Sequence, residues 1–158
     1  MTPDPFLEAA RKAIAGGPEV LRQAVGDLPA EGLNGRAANP EDTNTIAVLA
    51  THALHSTRVL LTMAAGLPPA ARDRAGEFAA TADGPEPLLA VIDGLAAECA
   101  DLLACCEGID WSAARTRRRD DGSISEMTAA EALLFAVTHL RGHADEAALT
   151  RHLWRAQH

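Results

Sequence analysis

Tyrosine is absent from the 158 residues, aromatics make up 3%, and lysine occurs once, at Lys12, against 13 arginines. Aromatic and β-branched residues build sheets, so their scarcity leaves little to make one from. There are only three cysteines, Cys99, Cys105 and Cys106. They form no even disulfide framework, which points to free thiols in a reducing cytoplasm. No apolar run approaches the roughly 20 residues of a transmembrane helix. The start, MTPDPFLEAARK, has an early Asp, two prolines and no apolar core, so it does not read as a signal peptide. Positive charge is also short: 14 basic against 22 acidic residues leave a net charge of −8. Nucleic acid and anionic membranes both need a positive face, so neither is an expected partner.

What is abundant is alanine, with 34 copies, in a chain that is 47% hydrophobic. Alanine has the highest helix propensity, and this length suits one domain, so an all-α single domain over 1–158 is expected. Proline and glycine divide the chain. Phe6, Ala10, Ala13, Ile14, Leu21, Ala24, Val25 and Leu28 mark one helical face from Pro5 to about Leu28. Gly16-Gly17-Pro18 interrupts it, so this first helix is expected to be kinked or split. Pro29 to Pro40 reads as a loop. A second helix opens at Glu41-Asp42-Thr43-Asn44 and stops at Gly66. Ala70 to Ala82 reads as a short helix or turn. A third helix begins at Gly84-Pro85, carries the stripe Leu88, Ile92, Leu95, Cys99, Leu102 and Cys106, and ends near Gly108. Ile109 to Ser125 reads as a polar connection. A fourth helix runs from about Glu126 to Trp154, capped by Thr128 with Glu131, or by Ser125. Four long amphipathic helices with short connections predict a four-helix bundle.

The chemistry is carried by histidines: His52, His55, His139, His143, His152 and His158. His139 and His143 are four apart on the fourth helix, so they lie about 40° apart in azimuth and about 6 Å apart along the axis. Phe135, Ala132, Ala136, Leu153 and Trp154 project within about 60° of His139, which places the pair on an inward, apolar face. Glu146 projects there too. Two imidazoles and a carboxylate on such a face need partners, and a metal ion is one way to satisfy them. On the second helix His52 lies at the edge of the inward stripe Ile46, Leu49, Ala53 and Leu60, beside Ser56 and Met63. His55 projects nearly opposite and is expected to be solvated. Three histidines without a fourth protein ligand match an open, catalytic metal site. The competing reading is a non-catalytic ligand-binding or regulatory bundle, or a structural site, with histidines that line a pocket.

The stretch Asn44-Thr45-Ile46-Ala47-Val48-Leu49-Ala50-Thr51-His52 resembles the N-x-I-A-x-L-x-x-H pattern of the DinB/YfiT-like metalloenzymes. Glu131-Ala132-Leu133-Leu134, His139-x-x-x-His143 and Leu149-x-Arg151 are similar to that family's last helix. The resemblance covers most of the chain. It implies a four-helix bundle, often dimeric, with one divalent metal on His52, His139 and His143. It also implies a small-molecule substrate and, by analogy with thiol-dependent transferases and isomerases of the family, a low-molecular-weight thiol such as mycothiol or bacillithiol. Three imidazoles suit zinc, nickel or iron, and also copper. Many members follow the last histidine with x-Gly-Gln. Here Ala144-Asp145-Glu146 stands instead, which makes Glu146 a candidate for holding a metal-ligating histidine or acting as a general base.

The remaining features read as structural. Arg117-Arg118-Arg119 is the only basic run, expected to be a solvated face balanced by Asp120 and Asp121. Cys106 continues a core stripe and reads as a small buried hydrophobe, with Cys105 more exposed. Trp154 reads as core or dimer packing. His152 and His158 lie near the C-terminus, away from the candidate site.

Overall fold

The computed structural model describes residues 4–37, 42–119 and 121–158. It contains α1 (Pro5–Val25), α2 (Ala30–Asn34), α3 (Ile46–Ala64), α4 (Arg74–Phe78), α5 (Pro85–Ala104), β1 (Ala114–Arg118), β2 (Ile124–Thr128) and α6 (Ala129–Gln157). The molecule is mostly helical. The long helices pack as neighbours in a closed circuit, α1 on α6, α6 on α3, α3 on α5 and α5 on α1.

α1 is one helix rather than two, with Pro18 inside it and buried. Proline clashes most with a Cβ on the residue before it, and that residue is Gly17. Gly17 has a second use. A Cβ there would meet the side chain of Leu140 on α6 at 2.5 Å, so the missing methyl lets α1 and α6 approach closely. At the start of α1, the Asp4 carboxylate accepts from the backbone N–H groups of Phe6 and Leu7, at 2.9 and 3.3 Å. Its other oxygen accepts from the Trp111 indole at 2.6 Å, and the Phe6 and Trp111 rings meet edge to face. This ties the segment before the hairpin to α1. At the other end, Arg151 of α6 donates to the carbonyls of Ala24 and Val25 and to Asp27, whose pKa falls to about 2 through that contact.

Several boundaries differ from the sequence expectation. The loop after α1 contains α2, which packs beneath Trp154: Cβ atoms at Gly32 and Gly35 would lie 3.2 and 3.4 Å from its ring. α3 begins at Ile46, with Thr45 as the cap, and Glu41 and Pro40 lie outside the described residues. Ser/Thr and Asp/Asn cluster there, and only the residue whose oxygen reaches the third N–H along acts as the cap: Thr45 accepts from Val48 at 3.1 Å. The expected polar connection holds an antiparallel hairpin, β1 paired with β2 from Ala114↔Thr128 to Arg118↔Ile124. Cross-strand hydrogen bonding makes these strands despite their polar composition, so α6 starts at Ala129 and not at Glu126. Its cap is Thr128 in a reciprocal box with Glu131, and Ser125 lies within β2.

α3 is the central element. It contacts α6, α5, α4, α2, α1 and β1. By length and composition alone it is apolar enough to cross a membrane, yet 78% of that stretch is buried inside the molecule. A helix packed on nearly all sides carries apolar residues all round.

The two adjacent glycines of α1 should respond to alanine with opposite signs. Gly16 has nothing within 4 Å of a built Cβ, so Gly16→Ala gains helix propensity and stabilises by roughly 0.5–1 kcal/mol. Gly17→Ala forces the fully buried Leu140 to move and destabilises by about 1–3 kcal/mol. Urea unfolding of both variants checks the pair.

Candidate metal centre

The structure brings His52 of α3 together with His139 and His143 of α6. One ring nitrogen from each lies within 4.8 Å of the others. Ring centroids are 5.2 Å apart for His52 and His139, 5.1 Å for His52 and His143, and 4.5 Å for His139 and His143. His55 is not part of the cluster. It is half-buried rather than solvated, and burial lowers its pKa. His152 is exposed, and His158 stacks on Trp154.

The helix positions of the three histidines differ from expectation in two respects. The buried face of α6 is made by Leu133, Ala136, Leu140, Ala144 and Ala147. That face is centred about 100° from His139, so the histidine pair sits at its margin rather than its middle. Phe135 and Leu153, expected inside, are 50% and 41% exposed. Ala132 and Ala136, also expected inside, are fully buried, so apolar residues flanked His139 on both sides and helix packing buried the flank of Ala132 and Ala136. His52, expected at an edge, is instead buried, because α4 covers it.

That cover comes from residues the sequence did not single out. Glu77 is 3% exposed and its Oε2 lies 2.9 Å from His52 Nδ1. Arg72 grips both oxygens of Glu77, donating from Nε at 2.6 Å and from a terminal nitrogen at 2.7 Å. The Phe78 ring lies 4.5 Å from the His52 ring, and Arg74 stands over Phe78. Glu77 and Phe78 belong to a five-residue helix with no amphipathic period to read, so only the tertiary fold reveals them. Glu146 was legible from the sequence. Its Oε2 lies 3.1 Å from His143 Nδ1, one helical turn away. Arg141 pairs with Asp145, the other acidic residue of that segment.

These contacts organise the ring nitrogens. A carboxylate on Nδ1 accepts its proton and leaves Nε2 of His52 and His143 as the free lone pair. His139 Nε2 is buried and has no hydrogen-bond partner. An orphaned buried imidazole nitrogen beside two oriented ones is the donor set that a divalent ion completes. Burial and then the neighbouring imidazoles push the His139 pKa down to about 4. Burial also lowers the His52 pKa, against the opposing pull of Glu77. Both shifts favour the neutral, ligating form. Burial raises the Glu77 pKa, but Arg72 and then His52 outweigh it and hold the carboxyl below its ordinary value.

The cysteines and the basic run, which the sequence reads as structural, take no part in the histidine cluster. Burial pushes the thiols of Cys99 and Cys106 up to about 12 and about 11, which leaves them unreactive, and Cys105 is exposed. Of the basic run, Arg117 is half-buried on β1 and Arg118 and Arg119 are exposed. Asp121 bonds its own turn, and Asp120 lies outside the described residues. The run is thus not wholly a solvated face.

The DinB superfamily model matches residues 13–147, a span that includes all three clustered histidines. The chain belongs to the DinB superfamily. No curated protein and no solved structure gives a significant match. In this DinB protein the histidine cluster lies within the matched span.

Two outcomes test this arrangement. Glu77→Ala strands the Arg72 guanidinium in a nearly buried site, and loss of one partner of such a pair costs about 3 kcal/mol, read from urea unfolding. The depressed His139 pKa means that the unfolded chain binds a proton more readily than the folded one. Stability from this group is therefore complete above the ordinary pKa of 6.5 and is lost as pH falls toward 4. His139→Leu should flatten the fall of the metal-free protein's unfolding midpoint between pH 6.5 and 4.

Proposed function

We propose that His52, His139 and His143 hold one divalent transition metal, zinc, nickel or iron, and that this DinB protein is a metal-dependent enzyme. The observation that carries the reading is the convergence of three imidazoles, two of them oriented by carboxylates and the third with a buried, unpartnered Nε2. Three neutral donors leave coordination positions for small molecules. A bound ion supplies Lewis acidity and favours the anionic form of water or a thiol at neutral pH.

The chain's own groups have separable parts in this scheme. Glu77, fixed by Arg72, orients His52 and sets its tautomer. Glu146 does the same for His143, and its half-exposed side chain can also take a proton from a bound substrate. The reaction class is a thiol-dependent transfer or isomerisation, or a hydrolysis, on a small organic substrate, with a low-molecular-weight thiol as co-substrate. The circuit of α1, α6, α3 and α5 supports reading the architecture as a four-helix bundle. A single domain, a cytoplasmic setting and a homodimer complete the proposal. Phe135, Leu149 and Leu153 are exposed and fall within about 40° on α6, an apolar stripe that suits a second copy.

Elemental analysis of untagged protein tests the centre. About one equivalent of transition metal is expected in the wild type, and almost none in the variant with all three histidines changed to alanine. Metal affinity should fall as pH is lowered, because only neutral imidazole ligates, and burial moves the onset for His52 and His139 below the ordinary imidazole pKa of 6.5. Glu77→Gln should weaken affinity roughly 10–100-fold while leaving the three ligands in place. Absence of metal, with no uptake at pH 8, refutes the enzymatic reading and favours a metal-free binding module.

A further inference from the structure

A groove of about 510 Å³ lies between the C-terminal end of α3, the 66–72 segment and β1. None of its lining residues is a histidine, and Arg72 alone belongs both to its wall and to the contacts of His52. The charge of this groove opposes that of the chain. The protein carries 22 acidic residues, yet four arginines and no carboxylate line it: Arg72, Arg115, Arg117 and Arg118. Folding has therefore sorted a basic pocket out of an acidic chain.

The arginines differ in what they have left to offer. Arg72 is held on Glu77 and acts as a wall. Arg115 donates from Nε to the Ala64 carbonyl at the end of α3 and from one terminal nitrogen to Ala114. Two of its five N–H groups fix the side chain, and the others remain for a ligand. Arg115 and Arg117 are two apart on a strand and so share one face of the hairpin. Arg118, at the strand end, is exposed and makes one long contact to Gly122. The opposite wall is apolar, with Val59, Met63 and Leu67. Planar guanidinium forks match the oxygens of a carboxylate or a phosphate, and the apolar wall suits a hydrocarbon body.

We propose that this groove binds a small amphipathic organic anion, with its oxyanion head on Arg115, Arg117 and Arg118 and its apolar body on Val59, Met63 and Leu67. The inference stands without a metal, since the groove and the histidine cluster share only one side chain.

The test is an NMR titration of the untagged full chain with hexanoate, hexyl phosphate and hexanol. At least one of the two anions should bind about tenfold more tightly than hexanol, and the tighter of the two identifies the head group. Arg118→Gln should weaken that anion several-fold, with the unfolding midpoint and metal content unchanged, and Arg117→Gln should weaken it as well. Arg115→Gln also removes a carbonyl cap from α3, so Arg118→Gln and the Arg117/Arg118 double variant decide. Equal binding of hexanol and both anions overturns the proposal, as does wild-type affinity in the Arg117/Arg118 double variant. The titration is repeated with the metal removed by chelator. Persistent binding supports the groove, and binding that vanishes with the metal overturns it by placing the anion at the histidines. A protein that lacks metal but still binds the anion refutes the enzymatic reading and leaves the groove standing.

Discussion

Burying α3 on nearly every side forces each of its polar side chains to find a partner inside the protein, because an unpaired polar group in the interior is costly. Thr57 and Thr62 solve this locally, by donating to the carbonyls four residues back. Thr51 does the same. His52 has no such local partner, and both it and Ser56 are met from α4 and the segment before it: Glu77 takes the His52 ring nitrogen, while Arg72 reaches Glu77 and Ser56. α4 is only five residues long and has no core of its own. It is held in place largely by this chain of polar contacts, and in return it shields His52 from water.

The same constraint explains why the cluster has unequal members. His52 comes from the helix packed all round and is sealed by α4. His139 and His143 come from the margin of the α6 face, where apolar packing gives way to solvent. The result is a site with one buried wall and one accessible side. Desolvation in this arrangement lowers the pKa of His52 and His139 and so favours their neutral form.

The close approach of α1 and α6 at Gly17 supports this geometry from a distance. Leu140 lies one residue beyond His139 and packs against the bare backbone of α1. Arg151 then ties the far end of α6 to the last carbonyls of α1. Two contacts along one helix set its position and rotation, and with them the direction of the histidine pair.

Local chemistry in the sequence determined the helical class, the main helices and the choice of His52, His139 and His143 over His55, His152 and His158. Each of these rests on spacing within one segment, and spacing is written in the chain. The hairpin was not legible, since its strands are polar and only cross-strand pairing defines them. Nor was the rotation of α6, because the apolar residues near His139 allowed two buried faces and packing against α1 and α3 selected one. Glu77 and Arg72 lay in a segment without a period, 25 and 20 residues from His52. Their role exists only once the fold carries them to a ring nitrogen that burial has deprived of water.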